Sequence, residues 1–192
     1  GRGLNVNIFG NVAHNTNKIR RISSSLEASN NLNSDKYDEI GGDGQALAPK
    51  GDRQRPARRY EVGRSMSAIW AVRSLGIDPS NGQEIFLKRD GTMTYQWAAE
   101  DQEVLGDTQP LYNGTFGANV QYKDLSVNFA FTYRWGGQMY NSSLVSLVDD
   151  ADFNYNVDIR ALENRWKQPG DVSLFKGITE LSSTATRPTS RF

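Results

Sequence analysis

The chain contains no cysteine and a single histidine, His14. Without thiols there is neither a disulfide framework nor a thiolate metal site. With one imidazole, the commonest general base and any histidine-based metal cage are missing as well. Lysine and arginine number 22, as do aspartate and glutamate, so no net field draws the chain to nucleic acid or to an anionic lipid surface. No apolar run of about 18 residues occurs, which excludes a transmembrane helix. Gly-x-Ser-x-Gly, P-loop and Rossmann signatures are also absent, and the carboxylate pairs that exist fall in loop-like stretches with no element to fix their spacing. These absences lead us to expect a protein that is not an enzyme and that carries no metal and no cofactor.

What the chain does have is alternation. Tyr112, Gly114, Phe116, Ala118, Val120 and Tyr122 alternate with Asn113, Thr115, Gly117, Asn119 and Gln121, the period of a strand with one apolar and one polar face. Beyond Lys123 and Asp124 the apolar set moves to odd numbers: Leu125, Val127, Phe129, Phe131, Tyr133 and Trp135. The change of parity predicts a hairpin turning at Lys123-Asp124, although the Asn-Gly or Asp-Gly pair usual in primed turns is missing. Each arm is close to the roughly nine to eleven residues a tilted strand needs to cross a bilayer, well beyond the five or six usual in soluble sheets. Neither apolar face holds a charge, and rings gather near the strand ends, as in an aromatic girdle. On this pattern Phe116, Val120, Val127, Phe129 and Phe131 are the expected lipid-facing residues. The same alternation also serves a long hairpin in a soluble β-sandwich. The mean hydropathy of −0.63 is compatible with a barrel, whose lumen-facing residues and outer loops are polar.

Leu4, Val6, Ile8, Gly10 and Val12 predict a third long strand whose other face is rich in asparagine. Asparagine is disfavoured in strands, and amides that bind water or sugar hydroxyls supply a reason for its recurrence. Ser23 to Leu32 suggests a short helix, with Ser24 and Glu27 at capping-box spacing. Gly41 to Arg59 reads as an irregular loop in which Asp43-Gly44 and the arginines 53, 55, 58 and 59 lack the spacing of an ion-binding motif. Ser67 to Ile77 and Gln83 to Leu87 predict a second hairpin about the turn Asp78-Pro79-Ser80-Asn81-Gly82. Thr92 to Trp97 then precedes an acidic loop with Glu100, Asp101 and Glu103. Trp70, Trp97 and Trp166 are the candidate substrate-binding residues, since an exposed indole is an apolar platform for a sugar ring, while packing is the plainer role for each. A short helix is expected from Asp158 to Trp166.

Several ordered blocks carry a family likeness: Ser67-Ala68-Ile69-Trp70-Ala71-Val72-Arg73-Ser74-Leu75-Gly76-Ile77-Asp78-Pro79, Gly82-Gln83-Glu84-Ile85-Phe86-Leu87, Gly106-Asp107-Thr108-Gln109-Pro110, Tyr122-Lys123-Asp124-Leu125, Gly136-Gly137-Gln138-Met139-Tyr140-Asn141 and Thr186-Arg187-Pro188-Thr189-Ser190-Arg191-Phe192. In this order the chain resembles the carboxy-terminal region of SusC/RagA-type TonB-dependent outer-membrane transporters of Bacteroidetes, proteins of nutrient uptake and polysaccharide utilisation. The resemblance implies an all-β fold: part of a transmembrane antiparallel β-barrel with long extracellular loops, in the cell outer membrane. Residues 1–15 would be a barrel strand, 16–111 an extracellular excursion with a short hairpin and 112–135 the transmembrane hairpin. Residues 136–183 would be an extracellular loop and 184–192 the lead-in to the next strand. Lys123-Asp124 would face the periplasm. The implied partners are a SusD-like surface lipoprotein, TonB acting through a plug outside this stretch, membrane lipid, and an oligosaccharide or peptide cargo, with no nucleic acid. The rival readings are a soluble β-rich glycan-binding module and a passive porin.

Overall fold

The computed structural model describes residues 3–37, 50–178 and 186–192. Its elements in chain order are β1 (Leu4–His14), α1 (Ser24–Asp35), α2 (Lys50–Arg53), β2 (Ala68–Ala71), β3 (Arg73–Ile77), β4 (Glu84–Leu87), β5 (Met93–Thr94), β6 (Glu103–Asp107), β7 (Tyr112–Tyr122), β8 (Leu125–Trp135), α3 (Ser142–Leu144) and α4 (Arg160–Glu163). The fold is mainly β-strands in antiparallel sheets.

The long strands β1, β7 and β8 form one sheet in that order, each 11 residues long. The β7–β8 register pairs Tyr122 with Leu125 and Tyr112 with Trp135, so every apolar residue of one arm faces an apolar residue of the other. β1 extends the pattern, with Leu4 opposite Tyr122, Val6 opposite Val120 and His14 opposite Tyr112. Among the described residues the outer edges of β1 and β8 have no strand partner, and the sheet does not close.

The turn is set by Lys123, whose φ of 54° lies in the left-handed region that favours glycine. Replacing it with glycine removes that strain. Lys123→Gly is expected to stabilise the hairpin by about 1 kcal/mol; a denaturation midpoint equal to or below that of the parent would refute it.

The described residues outside the long strands and their turn build a smaller body at the end of the sheet where His14, Tyr112 and Trp135 lie. β2 pairs with β6, and β3 with β4, which in turn pairs with β5. The apolar stretch predicted as one strand from Ser67 to Ile77 is therefore divided between two sheets at Val72. Val72 is fully buried and forms a parallel bridge with Thr189. Glu103, expected in an acidic loop, opens β6 instead. Ser23 caps α1, its hydroxyl accepting from Leu26 N–H, so the cap lies one residue before the predicted Ser24 and Glu27 falls outside a capping box. The helix expected at 158–166 is limited to the single turn of α4. Asp43-Gly44 lies outside the described residues.

Candidate functional site

Two surfaces of the long sheet stand out. One is apolar and uncovered. Phe116, Phe129 and Phe131 are 52%, 44% and 55% exposed, Val127 is exposed and Val120 half-buried, and no second layer of described residues lies over them. At 150–250 Å² per ring, these three phenylalanines alone leave roughly 300 Å² of aromatic surface open, already the scale of the largest apolar patch on a typical soluble monomer. Leu4, Ile8, Val12, Leu125 and Trp135 enlarge it further. The rings are ordered along the strand axis. Phe116 stacks on Phe131 at 5.4 Å near mid-height, while His14 and Tyr112 meet at 4.6 Å in the row that ends at Trp135. Eleven residues rise about 33 Å along the strand, and at a tilt of about 40° they span the roughly 25 Å apolar band of a membrane barrel.

Tyr133 crosses this face over Gly114, and its hydroxyl donates to the backbone carbonyl of Asn11 at 3.3 Å. A Cβ at Gly114 would run into the backbone oxygen of Asn11 and stand 2.6 Å from the Tyr133 hydroxyl. Glycine on the middle strand is thus required by the close approach of the β1 backbone as well as by the aromatic residue on β8.

The opposite face carries Asn5, Asn7 and Asn11 on β1, Asn113, Asn119 and Gln121 on β7, and Ser126, Asn128 and Thr132 on β8. Arg134 is its one charge. Asn7, Asn119 and Asn128 fall in a single row across the sheet.

A polar seam joins the sheet to the smaller body. Asn15 N–H donates to Leu111 O at 3.2 Å and Asn17 Nδ2 to Gln109 Oε1 at 2.5 Å, while Asn17 Oδ1 accepts from Ser65 Oγ and Met66 N–H, both at 3.0 Å. Asp107 accepts from Ser67 Oγ at 2.6 Å and from Gln109 N–H at 2.9 Å. Partial burial alone would raise the Asp107 pKa, but the hydrogen bonds from Ser67, Ser65 and Gln109 outweigh it and hold the carboxyl below its ordinary range.

Inside the smaller body lies a charge cluster that sequence reasoning did not find. Arg191 makes a two-pronged ion pair with Glu84, 2.7 Å on each prong, and approaches Asp149 at 3.3 Å. Asp149 is fully buried and also accepts from Thr186 Oγ1 at 2.6 Å. Asp150, equally inaccessible, accepts from Gln54 Nε2 at 2.6 Å and Thr186 N–H at 3.2 Å. Arg165 donates to four backbone carbonyls, those of Ala161, Lys176, Val148 and Asp149, at 2.6–2.8 Å. The one hint in the sequence was Asp149-Asp150 directly after the apolar run Leu147-Val148, where a solvated acidic loop would not be expected to begin. Of residues 184–192, expected as the lead-in to the next strand, the described ones from 186 pack on this body: Thr186 and Thr189 are buried, and Ser190 N–H donates to Val72 O at 3.0 Å.

The three candidate tryptophans are scattered. Trp70 is 1% exposed with the Arg59 guanidinium 5.4 Å above its ring, so it packs and offers no face to a ligand. Trp97 is half-buried, donates to Pro188 O at 3.1 Å, and meets the ring of Tyr37 at 4.9 Å. Burial pushes the Tyr37 hydroxyl up to about 12, while Ala57 N–H donates to it. Trp166 is also half-buried, seated on Gly82, and donates to Pro79 O at 2.9 Å. Of these three candidates only Trp97 and Trp166 keep open surface, and they do not share a site.

Comparison with known proteins bears on these surfaces. Over 100% of its length the chain matches a chain in the structure of the RagAB peptide transporter, with a TM-score of 0.62 and 16% sequence identity. The match occupies 19% of that much longer chain. The likeness is one of fold, and it takes in the long sheet and the smaller body together. No protein-family model and no curated protein matches the sequence.

Proposed function

We propose that this chain forms part of the wall and outer rim of a TonB-dependent importer of the SusC/RagA type in the outer membrane, taking up an oligosaccharide or peptide beneath a SusD-like surface lipoprotein. The observation that carries this reading is the two-faced sheet: eleven-residue strands, uncovered and apolar on one side, lined with amides on the other. Hydrocarbon tolerates only strands whose backbone groups are paired, and an aqueous passage suits the amide side. The smaller body, which the chain enters from His14, leaves into Tyr112 and enters again from Trp135, forms the rim above this part of the wall. Coupling to TonB would run through a plug supplied from outside this stretch. The reading assigns the chain passage and binding, and no catalytic step.

This chain has no cysteine of its own, so with any cysteine elsewhere in the intact protein replaced by serine, single-cysteine labelling in membranes gives a direct test. A membrane-impermeant maleimide is expected to modify Asn128→Cys and Thr132→Cys and to leave Phe129→Cys and Phe131→Cys unmodified until detergent is added. Equal labelling at 128 and 129 without detergent would instead indicate a soluble β-rich module.

A further inference from the structure

Phe9 is the exception on the amide face. It is an aromatic ring, 41% exposed, on a surface otherwise made of amides, hydroxyls, small residues and the single charge of Arg134. β1 places it opposite Gly117, where a Cβ would run into the backbone oxygen of Phe129 and stand 2.6 Å from the edge of the Phe9 ring. Only glycine at 117 lets the ring lie across β7. On either side of it along the strands come Asn7 and Asn119, then Asn11 and Thr115, with Asn128 continuing the first row onto β8. Neighbouring amides in a row stand about 4.8 Å apart.

From this arrangement we infer a ligand-contact site on the inner wall, with Phe9 as stacking platform and Asn7, Asn119 and Asn128 as hydrogen-bonding partners, taking a neutral oligosaccharide. A sugar ring has an apolar face to lay on Phe9 and a rim of hydroxyls to meet amides, each of which offers donors and acceptors. Charge argues for the same class. The face holds no carboxylate and no lysine, and Arg134 lies in the end row beside Asn113, two rows beyond Phe9 along the strand. A peptide with ionised termini or side chains would find no counter-charge beside the ring.

The inference rests on the aqueous-passage reading above, and the two fail separately. Maleimide labelling decides whether this face meets water. The site itself is tested with the intact protein in lipid nanodiscs, titrated with maltohexaose, cellohexaose and hexa-alanine. At least one hexasaccharide is expected to bind, and Phe9→Ala to weaken it about tenfold, Phe9→Tyr leaving it within about twofold. Phe9→Leu keeps Gly117 covered, so a loss there reports the missing ring and not a disturbed sheet. Asn119→Ala is expected to weaken the same ligand. Failure of both hexasaccharides to bind would overturn the assignment. So would unchanged affinity in Phe9→Leu and Asn119→Ala, or an effect of these substitutions on hexa-alanine alone.

Discussion

Phe129→Arg is expected to destabilise the membrane-inserted protein by about 2–4 kcal/mol, the cost of an arginine on the lipid face of a barrel near the bilayer midplane. Phe129 sits near the middle of β8, opposite Ala118, with Ile8 completing the row. A guanidinium there has no aqueous side to turn to, because the ends of the strand lie about 15 Å away along its axis. The neighbouring substitution Asn128→Arg changes the same strand by the same residue but places it on the amide face, where the expected cost is below about 1 kcal/mol, as for surface changes generally. Urea titration of the intact protein in liposomes, followed by heat-modifiable gel mobility, reads both. Equal costs at 128 and 129 would remove the physical basis for assigning one face to lipid.

Arg191→Ala should be nearly as damaging, by a different mechanism. The guanidinium is the shared partner of Glu84 and Asp149, and all three side chains are largely sealed from solvent, at 11%, 7% and 0% exposure. Removing it leaves two carboxylates facing each other in a site that cannot solvate them, for which a loss of about 3–5 kcal/mol is typical. Arg191→Lys keeps the charge but not the two-pronged geometry, so it should recover only part of the loss. The double variant Glu84→Gln, Arg191→Met should be less impaired than Arg191→Ala, since it removes one charge along with its partner. Protease resistance of residues 142–192 in the intact protein would report the change. A loss below about 1 kcal/mol, the scale of an exposed pair, would show that water reaches the cluster after all.

The long sheet was legible in the sequence because its signal is redundant. The period of two over 112–122, its change of parity and the two-residue turn fix the β7–β8 register without reference to anything else. β1 was legible as a strand for the same reason. Its pairing with β7, across nearly a hundred residues, was not. The smaller body was harder because its information is non-local. From Ser67 to Ile77 the residues are β-prone throughout, and nothing local reveals that the strand changes sheets at Val72; the cause is Thr189, far along the chain. Glu103 looked like part of an acidic loop because its partner Arg73, 2.6 Å away, comes from another strand. Nothing local marked Asp149, Asp150 and Arg191 as a cluster, for the same reason. Each is buried by a partner distant in sequence, and periodicity carries no trace of such pairing. Among the tryptophans, composition gave the residue type but not its surroundings, and burial removed Trp70 as a ligand platform.

The margins of β1 and β8, unpaired among the described residues, have a consequence for assembly. Each presents a ribbon of outward-pointing amides and carbonyls that hydrocarbon cannot satisfy. On the proposed membrane reading, two flanking antiparallel neighbours are therefore required, and the order β1-β7-β8 would place this sheet inside a larger ring. Deprived of those neighbours, the same margins are templates for one another, and copies of the arc should zip side by side into polymers.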